Sequence, residues 1–390
     1  MNRIKNPFAP GAGSPPPEFS GRDEIISDAE IALQRILVGK HSKSQILLGL
    51  RGTGKTVLLR NFVKKADAKK YATSFIEAPD NKSLATLLYP KVHQALREIS
   101  LIEKAKQTAH NAMRALHSFA SVFHLSVGDV SLAVDPAVGI ADSGILEYDL
   151  GDLFVTVGKA AQAANIGWAI FIDEVQYLSS EELSALIVAI HRTNQEELPV
   201  MFFGAGLPQV AALTGDAKSY AERLFDYYRI DALDKKSSFS AIKEPIEGEG
   251  ESISAQALAE VFSITKGYPF FLQEWGFQLW NRAKSSPIKK TDVISASPAA
   301  LDRLDKGFFR VRFDRLTPKE QEYVFAMSKL GAGPYRSSDV ADILNETPKT
   351  LGPCRARIIH KGMVYSPAHG DIAFTVPMFE KYLQRISEKG

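Results

Sequence analysis

Eight consecutive residues, Gly49-Leu50-Arg51-Gly52-Thr53-Gly54-Lys55-Thr56, combine three things a polyphosphate ligand needs. Glycines let backbone N–H groups converge on phosphate oxygens without a Cβ in the way, and Lys55 supplies a positive charge that reaches the outer phosphates. Thr56 supplies a hydroxyl that can ligate Mg²⁺. The stretch fits G-x-x-x-x-G-K-[ST] in full. Val57 continues it into an apolar helix start, so the phosphates would also meet a helix N-terminus, whose dipole favours anions.

A metal-assisted hydrolysis needs a second anchor and a group that orients water. The apolar run Trp168–Ile172 ends in Asp173-Glu174. Asp173 is expected to hold Mg²⁺, directly or through water, and Glu174 to polarise the attacking water. Guanine-reading proteins of this kind carry N-K-x-D, and Asn81-Lys82-Ser83-Leu84 lacks the aspartate. ATP with Mg²⁺ is therefore the expected ligand.

These groups must be positioned by a scaffold, and the hydrophobic pattern implies a parallel one. Gln45–Leu48, Ala72–Glu77, Trp168–Ile172 and Val200–Phe203 are near-continuous apolar strands separated by helical stretches, as in a sheet buried on both faces. Alternating Phe123, Leu125 and Val127, then Gly128-Asp129, then Val130, Leu132 and Val134 predict a β-hairpin insert at about 120–136. Tyr227–Ile230 is the last strand candidate. Beyond it helices dominate: Ser254 caps one, and Pro269 opens another. Thr317-Pro318-Lys319-Glu320 is a capping box, Ser338 and Thr347-Pro348 start two more helices, and Met363–Tyr365 and Ile372–Phe374 flank a turn at His369-Gly370. Three helices and a two-stranded wing predict a winged helix-turn-helix.

The 390 residues exceed one ordinary core. The single cysteine, Cys354, excludes an internal disulfide and a cysteine-based metal site. No apolar run is long enough to span a membrane and no secretory pattern opens the chain, so a cytoplasmic location is expected. The net charge of +2 does not announce a nucleic-acid partner. Residues 1–20, with Pro7, Pro10 and Pro15-Pro16-Pro17, read as an extended arm.

In the order of these elements the chain resembles AAA+ ATPases of the origin-recognition-initiator type and the related signal-transduction ATPases with numerous domains, from about Phe19 to the end. The resemblance implies an α/β fold with a P-loop NTPase parallel sheet, a helical lid and the C-terminal winged helix-turn-helix. Its expected boundaries are 21–233 for the core, 234–315 for the lid and 316–390 for the winged helix. It implies nucleotide contacts for Gly21 and Arg22, which look like the family's N-terminal Gly-Arg element, and for Tyr268 and Pro269, which look like its lid element G-x-P. Arg223 stands where such proteins can place an arginine that reaches a neighbouring subunit's γ-phosphate, so a homo-oligomer is a candidate assembly. Two departures stand out. Gly204-Ala205-Gly206 occupies a strand end where relatives often carry a polar sensor residue, and no arginine follows Gly267 as in the initiator branch.

Residues 347–370 contain Lys349, Arg355, Arg357 and Lys361 and no acid, which suits double-stranded DNA. Yet 316–390 holds ten basic against eight acidic residues, and winged helices also dock proteins. The expected function is an ATP-hydrolysing switch acting on DNA or a protein partner. A P-loop kinase and a nucleotide-stabilised scaffold with negligible hydrolysis are the alternatives, the kinase disfavoured by Glu174.

Overall fold

The computed structural model describes residues 1–11, 19–79, 82–125, 135–331 and 333–388. These residues form two compact units. One comprises residues 22–49 and 55–230; the other comprises 1–21, 50–54 and 231–390.

The first unit is built on β1 (Ser44–Leu48), β2 (Tyr71–Glu77), β3 (Gly167–Asp173), β4 (Val200–Gly206) and β5 (Phe225–Arg229). All pair in parallel, in the order β2-β3-β4-β1-β5. β1, β3 and β4 are buried along their whole length, as their unbroken apolar runs predict. Successive side chains serve opposite faces. Trp168, Ile170 and Ile172 join the core formed with the helices Leu84–Ser100, Lys106–Val122, Leu146–Ala163 and Ser180–Gln195, while Ala169 and Phe171 join that of Asp23–Leu37 and Lys55–Asp67. Phe171 stacks on Phe203 of the next strand at 5.1 Å. The one polar atom Trp168 buries is satisfied: its Nε1 donates to Ser74 Oγ at 3.1 Å.

The expected hairpin insert is corrected where it is described. Phe123 and Leu125 are not strand residues; they end the helix Lys106–Val122, donating from their amides to Phe119 O and Ala120 O at 3.1 and 2.9 Å. The apolar residues Ala109, Ala112, Leu116 and Phe119 fall at helical spacing, and that period prevails. Residues 126–134 lie outside the described residues.

The second unit is helical apart from β6 (Tyr335–Arg336), β7 (Val364–Tyr365) and β8 (Asp371–Phe374), an antiparallel sheet in the order β6-β8-β7. The helices Pro318–Lys329, Ser337–Ile343 and Pro348–His360 precede β7 and β8, close to their expected places. The first opens on the expected box, with Thr317 N–H donating to Glu320 Oε2 at 2.8 Å. A turn at 314–317 falls at the boundary expected at 315/316. The helical run from Lys290 passes through a π turn, Asp305–Phe309, to Phe313. One hydrophobic core then takes in Trp275, Phe309, Tyr323 and Tyr382 alike.

Of the extended arm expected over residues 1–20, Pro15-Pro16-Pro17 lies outside the described residues, and Asn2, Asn6 and Phe8 before it pack onto a helix. Phe8 is 2% exposed, and a Cβ on Gly276 would stand 2.6 Å from its ring, so the glycine leaves room for it. Asn6 Nδ2 donates to Phe277 O and Asn281 Oδ1, each at 3.1 Å, and Trp280 Nε1 donates to Asn2 O at 2.7 Å. Among the described residues, no helix is long and apolar enough to cross a membrane.

Candidate nucleotide and metal site

β1 delivers the chain to Gly49, whose N–H donates to Gly206 O at 3.1 Å, and the helix Lys55–Asp67 takes it away. Lys55 is buried at the start of that helix, its Nζ donating to Gly49 O at 2.8 Å. The Thr56 hydroxyl is hydrogen-bonded to the Asp173 carboxyl. Asp173 lies at the end of β3, 1% exposed, and its Oδ1 accepts from Glu174 N–H at 2.9 Å. Burial pushes the Asp173 carboxyl above the usual aspartate range and the neighbouring Glu174 adds to this, while Thr56, the Glu174 amide and Lys55 pull the other way. A hydroxyl and a buried carboxylate side by side are hard oxygen donors of the kind Mg²⁺ takes, and a cation there would relieve the cost of burying the charge. Thr56, Asp173 and Lys55 thus fit a magnesium polyphosphate.

Glu174 follows in the left-handed region, with φ 55° and ψ 42°, which turns the chain out of the strand into the short turn Val175–Tyr177. Its Oε2 accepts a hydrogen bond from Gln176 Nε2, and Gln176 Oε1 accepts from Leu207 N–H at 3.0 Å. Gln176 was not legible as a site residue. The missing polar side chain at the end of β4 was its only trace.

Residues 50–54 belong to the second unit. Gly52 and Gly54 have φ of 89° and 95°, where glycine is favoured. Arg51 N–H donates to Thr375 O and Arg51 Nε to Gly362 O, both at 3.2 Å. The Tyr268 hydroxyl donates to Arg51 O, and Phe270 N–H to Gly52 O at 3.2 Å. Thr53 Oγ1 closes the tip on Leu50 O at 2.9 Å. Pro269 is the first residue of its helix, and Gly267 before it, at φ +74°, lies so close to Leu233 O that a Cβ would approach to 2.0 Å. Gly21 packs on Ser237, and Arg22 precedes the helix Asp23–Leu37. Arg223 lies exposed in the short helix Ala221–Leu224 just before β5.

The four cations expected to face DNA are placed differently. Lys349 is exposed. Arg355 Nη2 donates to Ser366 Oγ and Asp371 O, both at 3.0 Å. Arg357 Nε and Lys361 Nζ pair with the fully buried Glu320, at 3.2 and 2.6 Å. Three of the four therefore hold the C-terminal elements to one another.

Residues 18–203 match the model of the AAA ATPase domain family. By this match the segment is similar to AAA ATPase domains. Residues 306–383 match a second family, described as a domain of unknown function (DUF8462). No curated protein matches the chain. Among solved structures, the Walker-type ATPase PABY2304 of Pyrococcus abyssi is similar over 95% of this chain and 98% of its own, with 17% identity and a TM-score of 0.57. The Holliday junction branch migration motor RuvB of Thermotoga maritima is 14% identical over 94% of this chain and 95% of its own, at a TM-score of 0.46. The Orc1 protein of Aeropyrum pernix, solved in complex with DNA, is 13% identical over 100% of this chain and 98% of its own, at 0.48. The first of these shares the P-loop fold.

Proposed function

We propose that the chain binds Mg·ATP and hydrolyses it, and that nucleotide state sets how its C-terminal elements engage a partner. The observation that carries this is the Asp173 carboxyl, buried and hydrogen-bonded to Thr56 within the same unit as Lys55. In this reading the amides of residues 50–57 and Lys55 bind phosphates, Thr56 and Asp173 hold Mg²⁺, and Glu174 takes up the proton of the attacking water. A cation held by Thr56 and Asp173 would supply charge neutralisation at the phosphate oxygens. Gly21, Arg22, Tyr268 and Pro269 are proposed for the rest of the nucleotide. Arg223, exposed before β5, is proposed to act on the site of a second copy.

Two substitutions test it by binding and turnover of radiolabelled ATP. Lys55→Ala is expected to lose nucleotide retention, whereas Glu174→Gln keeps retention and loses at least about a hundredfold in turnover. Equal turnover in Glu174→Gln and wild type would leave a nucleotide-stabilised scaffold instead. As the partner, a protein is favoured over DNA by the internal engagement of Arg355, Arg357 and Lys361. Salt-dependent binding of a labelled duplex that falls with Lys349→Ala would reverse that preference. A cytoplasmic setting belongs to the same proposal.

A further inference from the structure

The ATPase reading leaves the Gln176 side chain without a role. Gln176 lies two residues past Glu174, in the turn Val175–Tyr177. Its amide spans two fixed groups, donating through Nε2 to Glu174 Oε2 and accepting through Oε1 from Leu207 N–H at 3.0 Å. The partners dictate its orientation. A peptide N–H only donates and an ionised carboxylate only accepts, so a flipped amide would lose both bonds. Room for it comes from Gly206: a Cβ there would stand 2.8 Å from Gln176 Oε1 and 2.6 Å from Val210 Cγ2. Leu207 directly follows β4, whose last residues, Gly204-Ala205-Gly206, have no polar side chain. The end of this strand reaches Glu174 through Gln176.

We infer that Gln176 is a positioning residue for hydrolysis, standing in for the polar side chain that β4 lacks; this rests on the reading of Glu174 as the group that activates water. Glu174 carries its carboxylate on a flexible stem. Held through Oε2 by the Gln176 amide, the carboxylate is kept in one place. An amide suits the task, because it neither takes nor gives a proton at neutral pH and so does not compete for the proton that Glu174 must accept. Losing such a hold costs rate steeply, since a misplacement of about 1 Å is worth about a hundredfold. Phosphate binding, carried by other residues, is left unchanged.

The test compares the full chain with Gln176→Leu, Gln176→Glu and Glu174→Gln, measuring kcat and KM for Mg·ATP, the Kd of a fluorescent ADP analogue, and exchange of the Leu207 amide in protein without nucleotide. Gln176→Leu is expected to lower kcat by about tenfold to a hundredfold with KM and Kd within about twofold of wild type, and to speed exchange at Leu207. Gln176→Glu, which sets a second carboxylate against Glu174 and has no donor, is expected to fall further. A Gln176→Leu chain as fast as wild type overturns the inference, as does a parallel fall in kcat, nucleotide affinity and melting temperature, the pattern of a merely structural residue. A wild type no faster than Glu174→Gln sinks the underlying reading, and this inference with it.

Discussion

Glu320 shows how one residue redirects the reading of its neighbours. It closes the capping box of its helix, lies fully buried, and receives both Arg357 and Lys361. Burial works against its charge, but Lys361, the Thr317 amide and Arg357 together hold its carboxyl below the usual glutamate range. Removing both cations would strand a buried carboxylate. Arg357→Ala with Lys361→Ala is therefore expected to cost about 1–3 kcal/mol in urea unfolding, the lower figure reflecting the water that reaches the half-exposed Arg357. A pair that served only to meet DNA would leave stability unchanged. The same network makes a pH prediction. A carboxyl whose folded pKa is depressed stabilises above its ordinary value, 4.5 for glutamate, and the contribution is lost as pH falls through the lower folded value. The stability gap between wild type and Glu320→Gln should thus be constant above about pH 5.5 and close on acidification. A gap that persisted at pH 2 would show that the side chain acts through packing alone.

At the scale of elements, the phosphate loop and its strands were legible because their signals are local: glycine spacing, a lysine and hydroxyl at a helix start, unbroken apolar runs ending in acid. Gly267 was legible only in part. The sequence marks it as a helix stop, while the structure shows why no other residue serves: with φ at +74°, a Cβ would be driven to 2.0 Å from Leu233 O, the same backbone segment whose N–H donates to Gly267 O at 2.8 Å. Gly267→Ala is expected to destabilise by about 2–4 kcal/mol, because both the conformation and the space are wrong and neither obstacle is a side chain that could swing away. Calorimetry of the intact chain would read it, and a change below about 0.5 kcal/mol would mean that the turn can refold around an alanine. What the sequence could not give were partnerships between distant residues. Nothing near Phe8 announces Gly276, and nothing near Gln176 announces Leu207; each depends on a glycine elsewhere in the chain that leaves room for it.

For the molecule as a whole, the question is how many cooperative pieces the second unit holds. The resemblance implied a lid and a separate winged helix meeting near residue 315, but aromatic contacts join the two sides of that point. Phe271 contacts Phe308 and Phe309, with centroids 6.4 and 6.3 Å apart; Phe309 in turn stacks on Tyr382 at 5.4 Å and contacts Phe379 at 5.9 Å. Phe309, fully buried, therefore joins the helix Pro269–Arg282 to the last helix, Phe379–Ser387. Truncating a ring in such a place typically costs about 3–5 kcal/mol, from lost transfer energy and the cavity left behind. How that cost is distributed decides the matter. If the unit folds as one body, Phe309→Ala in the full chain will lower amide protection in Pro269–Arg282 and in Pro318–Lys329 together, by similar factors, although those helices lie on opposite sides of the expected boundary. Two independent domains would instead lose protection on one side only. Hydrogen exchange resolved by segment distinguishes the outcomes, and a one-sided loss would restore the boundary near 315 despite the shared core. Joint loss would mean that any motion passed to the C-terminal strands passes also to the helix that begins at Pro269, because the two are parts of the same packed body.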